Sequence, residues 1–283
     1  ALSLKRLRVD DFDPNGLALA KALGLPVELA LHGVEYTVQP GNWARILALP
    51  ATEHPRQLPD YTGLLEAARI AFPDIPIFLG TDSDFLFLNR FPPVAGQQGH
   101  RVGLGDGLTF AITPQVHAFD NASIIETAEA QGVVVTNARQ LAKGKSVIVS
   151  PVTLLPRWNP YSATQEIRAV PSADPRQSTP FCAAWTLASL KYLAEAGADS
   201  ITLYETHGPR GVLGTPIEQL LQQLAGATTV LASRSSNPLR VEILAFEKNG
   251  ERLVLAANLT STPQEVLWNS EKRTLEPYAV VNL

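Results

Sequence analysis

Sulfur-containing residues and long apolar runs are what this sequence lacks most clearly. It has no methionine and a single cysteine, Cys182, among 283 residues. A lone cysteine excludes an internal disulfide and is typical of a protein from a reducing compartment. No apolar run reaches the roughly 18 residues that cross a membrane, and the first residues lack the apolar segment of a signal peptide. We therefore expect a cytoplasmic protein without a membrane partner. Since methionine is missing even at position 1, the N-terminus is expected to be processed or the chain to be a fragment.

An excess of positive charge is also missing. The formal net charge is -4, and no cluster of lysines and arginines interrupts the sequence, so a nucleic-acid partner is not expected. The motifs of nucleotide, zinc and serine-hydrolase sites are absent as well: there is no P-loop, CxxC pair, HExxH or GxSxG. The run GLGDG (103–107) precedes a predicted strand, whereas a dinucleotide-binding fingerprint follows one. We expect no cofactor.

What the sequence does contain, up to residue 226, is an alternation of short apolar runs and amphipathic stretches. This pattern is typical of a parallel sheet covered by helices. Polar residues stand at the C-terminal end of almost every predicted strand, which favours a (β/α)8-type TIM barrel over an open doubly wound sheet. The predicted strands are 4–10, 26–33, 75–81, 108–117, 146–154 and 200–206.

The number of predicted strands is too small for a closed barrel. Six strands are recognised where eight are needed, and the Pro-rich stretch at about 38–59 is predicted to be a loop. Either two strands escape the pattern, or the barrel lacks its first strands, which lie upstream or come from a partner. An unpaired parallel edge favours association, so a homo-oligomer that covers this edge is a further possibility.

The pattern changes after residue 226. Apolar and polar residues alternate there with almost no helical periodicity, and Asn249-Gly250 is a hairpin-turn signal. We predict a barrel catalytic domain over 1–226 and a small antiparallel β module over 227–283.

Two residues at predicted strand ends are candidates for catalysis. Glu205 ends the strand 200–206, where a carboxylate can act as general base or nucleophile; the alternative is an ion pair with Arg210. His117 ends the strand 108–117, where Asp120 would fix its tautomer for acid/base work; the alternative is a hydrogen-bonded loop histidine. We predict that Glu205 and His117 are catalytic.

Further polar residues at the same ends are predicted to bind substrate. Asp82 and Asp84 flank Ser83, and either can instead cap a helix. No closely spaced pair of histidines occurs, so a metal is not expected. Trp158 and Asn159 are additional candidates for contacts with a sugar. The predicted substrate-binding residues are Asp10, His32, Asp82, Asn89, Arg90, Gln115, Ser150, Arg157, His207 and Arg210.

Four segments of the sequence resemble the D-apionate lactonase family, whose members open the lactone of a branched-chain sugar acid. The segments are GTDSDFLFLNRFPP (80–93), PQVHAFDNASIIET (114–127), SPVTLLPRWNP (150–160) and WTLASLKYLAEAGADSITLYETHGPRGVL (185–213). Family members are longer and carry a β domain ahead of the barrel, so the resemblance implies that this chain starts inside the barrel. At His207 the sequence departs from the smaller polar residue expected there.

The resemblance implies a hydrolase that acts on a small sugar lactone. Such chemistry needs a base to activate water, a donor to stabilise the oxyanion and an acid to protonate the ring oxygen. We expect Glu205 and His117 to share the roles of base and acid, and Arg90 or His207 to be the oxyanion donor.

Two other functions fit the same pattern. A glycoside hydrolase of the barrel-plus-β-domain type would need two carboxylates flanking the scissile bond, and the Asn-Glu pair usual in such barrels is replaced here by Asn89-Arg90. A catalytically inactive carbohydrate-binding relative is the second alternative, since two strands are unaccounted for.

Overall fold

The computed structural model describes residues 4–36, 41–51, 58–93, 105–157 and 173–283. A parallel sheet of seven strands occupies the first part of the chain, and its strands follow one another in chain order. The strands are β1 (Leu7–Asp10), β2 (Val27–His32), β3 (Trp43–Leu49), β4 (Ile77–Thr81), β5 (Gly107–Ile112), β6 (Ser146–Val152) and β7 (Ser200–Leu203).

Helices alternate with most of these strands, which confirms the predicted (β/α) barrel architecture. They are α1 (Pro14–Leu23), α2 (Tyr61–Ala71), α3 (Phe85–Arg90), α4 (Asn121–Ala142), α5 (Pro180–Glu195) and α6 (Pro216–Leu224). In the part of the chain that is described, no helix is both long and apolar enough to span a membrane.

The strand β3 corrects one sequence-based expectation. It lies inside the stretch 38–59, which was predicted to be a Pro-rich loop, and it pairs in parallel with both β2 and β4. Prolines 40 and 50 bracket the apolar run and gave it the appearance of a loop, and Arg45 interrupts its apolar character. One of the strands missing from the sequence-based count is therefore present.

The sheet is rolled into a nearly closed barrel. Glu28 of β2 accepts hydrogen bonds from Ser150 of β6 and Thr202 of β7. In a flat sheet, strands this far apart in the order would be separated by roughly 20 Å. Side chains of β2, β6 and β7 can meet only because the sheet curves. Among the described residues, no strand pairing joins β1 to β7.

Strand alternation separates an outer and an inner layer of side chains. On β2, Val27, Leu29 and Leu31 face outwards and pack with the apolar sides of α1 and α2. Ala30 of the same strand faces inwards, where it packs with other inner residues of the barrel, including Leu47 and Phe78. Part of the barrel interior is thus an ordinary apolar core.

The other part of the interior is polar. Glu28 is fully buried, and Arg45 Nε donates to its Oε2 over 2.5 Å. The same guanidinium also donates to Ser200 Oγ of β7 over 2.8 Å. This buried ion pair therefore links β2, β3 and β7 across the barrel.

The C-terminal part consists of antiparallel strands, as predicted. Four of them form a sheet in the order β13-β10-β9-β8, and β11 pairs with β12. Asn249 and Gly250 have φ values of 54° and 80° in the two-residue turn between β9 and β10, which suits the twist of a hairpin. The strands are β8 (Ala227–Leu231), β9 (Val241–Lys248), β10 (Glu251–Asn258), β11 (Gln264–Trp268), β12 (Glu271–Leu275) and β13 (Val280–Asn282).

Helix α5 joins the two parts. Eleven of its sixteen residues are buried, and Trp185 belongs to the same apolar cluster as Phe246 and Leu255 of the C-terminal sheet. Tyr192 of α5 also donates its hydroxyl hydrogen to the buried Glu242 of β9 over 2.5 Å. The C-terminal sheet is therefore packed against the helical layer, on the outside of the barrel.

The buried pair of Glu28 and Arg45 makes a stability prediction. Glu28→Gln keeps the shape of the side chain but leaves the Arg45 guanidinium buried without its counter-charge. We expect the free energy of unfolding to fall by about 3 kcal/mol, measured by urea denaturation.

The matched control is Glu265→Gln, which removes a carboxylate that lies 3.9 Å from Lys272 in an exposed pair. Exposed pairs contribute little, so this variant is expected to change the same quantity by less than about 0.5 kcal/mol. Equal denaturation midpoints for wild type and Glu28→Gln would contradict the role assigned to the buried pair.

Candidate active site at the carboxyl ends of the barrel strands

Six charged side chains converge at the carboxyl ends of the barrel strands, and we call them the mouth cluster. Strand alternation directs three of them into the barrel, and the others stand directly after a strand or in a following loop. The mouth cluster consists of Arg8 and Asp10 on β1, Asp11 after β1, His32 at the end of β2, Asp82 after β4 and Arg157 after β6.

Two guanidinium groups bridge two carboxylates at the centre of the cluster. Arg8 donates to Asp10 over 2.9 Å and to Asp82 over 2.7 Å. Arg157 donates to Asp10 over 2.5 Å, and its second terminal nitrogen lies 3.5 Å from Asp82. The side chain of Arg8 is 6% exposed, whereas that of Arg157 is 22% exposed. Arg157 is therefore the arginine that a molecule entering the mouth can reach.

The arginines keep both bridged carboxylates ionised. Burial alone would raise the pKa of Asp10 and of Asp82, but the positive charges of Arg8 and Arg157 hold both pKa values well below their ordinary range. Neither carboxyl group can therefore supply a proton near neutral pH.

His32 adds a third positive charge. Its Nδ1 lies 2.9 Å from Asp11 Oδ1, and its Nε2 lies 3.4 Å from Asp82 Oδ2. Burial alone would lower the pKa of His32, but the hydrogen bonds to Asp11 and Asp82 and the nearby negative charges raise it to about 9. The imidazole is protonated at neutral pH, so both ring nitrogens donate. Three cations and three carboxylates then balance within the mouth cluster.

Asp10, His32 and Asp82 are also the residues that could hold a metal ion. Each offers a ligand atom, and these atoms lie within 4.8 Å of one another. In the structure, the carboxylate oxygens accept hydrogen bonds from Arg8 and Arg157. A bound cation would have to compete with these guanidinium groups, and the expectation of a metal-free site stays a prediction.

Ser150 connects the mouth cluster to the buried ion pair below it. Arg8 donates to the carbonyl oxygen of Ser150 over 2.8 Å, and the Ser150 hydroxyl donates to Glu28. Ser150 is buried, with 1% exposure. Of the predicted substrate-binding residues, it therefore lies beneath the surface of the mouth and supports Arg8.

Glu205 lies on a second part of the mouth, after β7. The preceding residue, Tyr204, has a φ of 48°, a left-handed conformation that is strained for a tyrosine. The Tyr204 hydroxyl lies 2.7 Å from Thr186 Oγ1, which anchors the strained residue to α5. The carboxylate of Glu205 is 39% exposed and forms an ion pair with Arg210. This confirms the contact with Arg210 that the sequence suggested as an alternative, and it leaves the carboxylate accessible.

A small pocket adjoins Glu205, and we call it the β7 pocket. It combines residues of the loop after β6, the turn before α5 and the end of β7. Its lining residues are Thr153, Leu154, Leu155, Asp174, Gln177, Tyr204, Glu205 and Arg210.

Gln115 is one of the predicted residues whose polar atoms already have partners. Its Nε2 donates to Leu154 O over 2.7 Å and to Asp174 Oδ2 over 2.8 Å. Its Oε1 accepts a hydrogen bond from Arg176 over 2.9 Å. Gln115 therefore ties together the loops beside the β7 pocket.

His117 does not pair with Asp120, which corrects the partner expected from the sequence. Asp120 caps α4 by accepting hydrogen bonds from the backbone nitrogen and hydroxyl of Ser123, over 3.0 and 2.7 Å. His117 is exposed in the loop after β5. Burial raises the pKa of Asp84, and a positive charge on the His117 imidazole partly offsets that rise. Among the described residues, no hydrogen bond joins His117 to Glu205.

Asp82 and Asp84 have separate roles. Asp84 is the N-cap of α3 and accepts a hydrogen bond from Phe87 N over 3.2 Å, whereas Asp82 belongs to the mouth cluster. Asn89 and Arg90 are exposed in the last turn of α3. His207 is exposed too, with its Nδ1 2.9 Å from Thr206 Oγ1. The candidates Trp158 and Asn159 lie outside the described residues.

Four charged residues of the barrel interior and its mouth were not predicted from the sequence: Arg8, Asp11, Glu28 and Arg45. Arg8, Glu28 and Arg45 are charged residues in the middle of apolar strands, at positions that alternation directs into the barrel. A charged residue with that placement needs a partner inside the barrel. A charge at an inward-facing strand position is therefore the sequence signal that could have predicted these residues.

Comparison with known proteins identifies relatives of both parts of the chain. The family model "D-apionate lactonase, TIM barrel domain" matches residues 41–235. The model "D-apionate lactonase, C-terminal immunoglobulin-like domain" matches residues 238–283. The resemblance inferred from the sequence is thereby confirmed, while the domain boundary at 226/227 stays a prediction.

Among individual proteins, the chain is similar to a D-apionate lactonase from Brucella anthropi. The two are 32% identical over 257 residues, which cover 83% of this chain and 40% of the relative. The chain thus spans less than half the length of that relative.

A solved structure of a carbohydrate-active enzyme has a similar fold. A family 51 α-L-arabinofuranosidase from Bifidobacterium longum matches with a TM-score of 0.52 at 13% identity, covering 95% of this chain and 73% of its own. A GH30 endoxylanase from Clostridium papyrosolvens matches with a TM-score of 0.45 at 9% identity, covering 94% and 67%. The likeness to the arabinofuranosidase concerns the fold alone.

The raised pKa of His32 predicts a pH-dependent stability. The folded-state pKa of about 9 exceeds the ordinary value of about 6.5. The stabilisation from this pKa difference amounts to about 3 kcal/mol. It is complete below about pH 6.5 and is lost as the pH rises through 9. In His32→Gln this dependence should be absent, so the difference in unfolding free energy between wild type and variant should shrink by about 2 to 3 kcal/mol from pH 6 to pH 9.5.

The matched control for this prediction is His207→Gln, because that imidazole is exposed and lies outside the mouth cluster. Its difference from wild type should stay constant over the same pH range. The assignment of His32 would be wrong if the His32→Gln difference stayed constant as well.

Proposed function

Because the chain belongs to the D-apionate lactonase family, we propose that it is part of a hydrolase that opens a sugar-acid lactone of the D-apionolactone type. The substrate is a small carbohydrate, and the reaction takes place at the carboxyl ends of the barrel strands. The Brucella anthropi relative is a D-apionate lactonase, which supports the reaction class.

The observation that carries the proposal is the mouth cluster. Hydrolysis of a lactone passes through a tetrahedral intermediate whose carbonyl oxygen becomes negatively charged. Arg157 and His32 are cationic donors that Asp10, Asp11 and Asp82 already hold in place. Donors that are oriented in advance stabilise such an oxyanion without reorganisation. The accessible Arg157 is our proposed oxyanion donor, in place of Arg90 or His207, which were expected from the sequence.

The proposed base is Glu205. Its carboxylate is accessible, so a water molecule can reach it and transfer a proton to it. In this mechanism the water oxygen bonds to the lactone carbonyl carbon as Glu205 takes the proton. The bond from the carbonyl carbon to the ring oxygen then breaks, and the ring oxygen receives a proton. His117, exposed in the loop after β5, is our proposed acid.

The remaining predicted residues are proposed to contact the sugar from the loops around the mouth. Asn89 and Arg90 extend from the end of α3, and His207 extends from the loop after β7. Arg210 keeps Glu205 in place through their ion pair.

A glycoside hydrolase is less well supported by this geometry. Oxygens of Asp10 and Asp82 lie within 4.8 Å of each other, close to the spacing of about 5 Å between the carboxyl groups of retaining glycosidases. Those enzymes need one of the two groups protonated to act as an acid. Since Arg8 and Arg157 lower the pKa of both groups, neither can take that role.

Glu205→Gln tests the proposed base. We expect hydrolysis of D-apionolactone, or of the best substrate in a panel of aldonolactones, to lose at least about 100-fold in kcat, because general base catalysis contributes roughly that much. Turnover is followed by the pH change on release of the acid, with and without a chelator. The control is Glu251→Gln at the exposed start of β10, which should keep full activity.

Other outcomes would redirect the assignment. Full turnover by Glu205→Gln would remove Glu205 from the mechanism. If wild type hydrolysed no lactone but cleaved nitrophenyl glycosides, the glycosidase function would replace the lactonase function. Stabilisation by lactones in a thermal shift assay, without any turnover, would indicate an inactive carbohydrate-binding protein.

Arg157→Lys tests the proposed oxyanion donor. Lysine keeps the charge but cannot bridge Asp10 and Asp82 as a planar guanidinium does. We expect kcat/KM for the lactone to fall by about 100-fold, the scale of a lost oxyanion donor.

The control is Arg139→Lys, at an ion pair with Asp199 in which both side chains are nearly half exposed. Its kcat/KM should equal that of wild type. Unchanged kcat/KM in Arg157→Lys would show that the mouth cluster does not stabilise the transition state.

A further inference from the structure

The β7 pocket has room for about one water molecule. Its volume is about 10 Å³, which is close to what a single water molecule needs. Glu205, Asp174 and Thr153 are among the polar residues of its lining. A buried water molecule is held by two to four polar partners, and this lining can supply them.

Gln177 is a lining residue with one buried side-chain atom that has no hydrogen-bond partner in the described part of the chain. The residue is 4% exposed, and its backbone nitrogen donates to Asp174 O over 2.9 Å, which fixes its place in the turn before α5. Its side-chain nitrogen Nε2 is buried and has no hydrogen-bond partner among the described residues.

Such an orphan donor is unfavourable. A buried donor without a partner costs about 1 to 3 kcal/mol, and few native groups are left in this state. Charged neighbours in the same lining are paired: Asp174 accepts from Gln115 and Arg176, and Arg210 pairs with Glu205. Gln177 thus carries a buried donor without a partner among the described residues, and it shares the pocket lining with the proposed base Glu205.

We propose that the β7 pocket holds the water molecule that attacks the lactone, and that Gln177 positions this water for Glu205. Gln177 Nε2 donates a hydrogen bond to the water oxygen, and one water hydrogen points to the Glu205 carboxylate. This inference rests on the proposed function and adds the origin of the nucleophile to it.

The step is balanced without any co-reactant. Glu205 takes one proton as the O–H bond of the water breaks, and the water oxygen forms the new bond to the carbonyl carbon. When the bond to the ring oxygen breaks, its electron pair stays on that oxygen, which takes a proton from the proposed acid His117, and His117 is then reprotonated from solvent. The product is the open hydroxy acid, and Glu205 returns its proton to solvent.

Gln177→Met separates a water-positioning role from a structural one. Methionine is similar in length and has no donor, so it removes the orphan nitrogen and is expected to leave the melting temperature unchanged or to raise it. We expect kcat for the aldonolactone to fall about 10- to 100-fold while KM stays within about twofold, because the water and not the sugar loses its contact. Gln177→Leu should behave in the same way if Gln177→Met folds poorly.

The matched control is Gln131→Met. Gln131 is another buried glutamine with an unpartnered Nε2, but its Oε1 accepts from Ser189 at the contact of α4 with α5, away from the pocket. Its kcat should equal that of wild type.

The outcomes separate this inference from the proposed function. A kcat for Gln177→Met within twofold of wild type, beside a large loss in Glu205→Gln, would overturn the water site and leave the lactonase function intact. A tenfold rise in KM at constant kcat would also overturn it, because Gln177 would then hold the sugar.

A crystal structure tests the site without turnover. We expect an ordered water molecule within about 3.2 Å of both Gln177 Nε2 and a Glu205 oxygen. A β7 pocket without electron density for water would overturn the inference even if the protein hydrolyses lactones.

Discussion

The buried carboxylate of Glu28 is the contact on which the barrel and its mouth depend. It accepts hydrogen bonds from Arg45 of β3, Ser150 of β6 and Thr202 of β7, strands that lie on different sides of the barrel. No strand pairing between β1 and β7 closes the described sheet, so its curvature is held from within. Charges buried in this way are rarely the most stable solution, but they define which strands meet and therefore where each strand end lies.

The same interior supports the chemistry at the mouth. Ser150 donates to Glu28 and accepts from Arg8, and Arg8 in turn holds Asp10 and Asp82. Arg157 is thereby placed against two carboxylates whose positions are already determined. An oxyanion donor is effective when it does not have to reorganise during the reaction. The orientation of the accessible Arg157 guanidinium therefore depends, through Ser150 and Arg8, on the buried pair of Glu28 and Arg45.

Sequence patterns alone predicted the barrel because outward apolar positions and strand-end polar residues recur along the chain. They predicted Asp10, His32, Asp82 and Arg157, which stand at or after strand ends and do meet in space. They failed at β3, where Arg45 breaks the apolar run between two prolines, and they missed Arg8 and Glu28 for a similar reason. A charge inside a strand is explained only by a partner on a distant strand, and local patterns do not contain that partner. Gln177 was not predicted either, because whether its amide has a hydrogen-bond partner depends on how the surrounding loops fold.

The low pKa values of two carboxyl groups in the mouth cluster limit the roles that these groups can take in a mechanism. A carboxylate whose pKa lies far below its ordinary range holds its negative charge tightly and is a poor acceptor for a proton from water. Asp10 and Asp82 are in this condition because of Arg8 and Arg157, and protonated His32 has no lone pair to offer near neutral pH. The cluster is therefore suited to stabilising charge, and the base has to come from another part of the mouth. Glu205 is an accessible carboxylate at the end of β7, presented by the strained Tyr204. Leu155, which lines the pocket beside Glu205, lies two residues before Arg157, so one loop carries the proposed oxyanion donor and borders the proposed base.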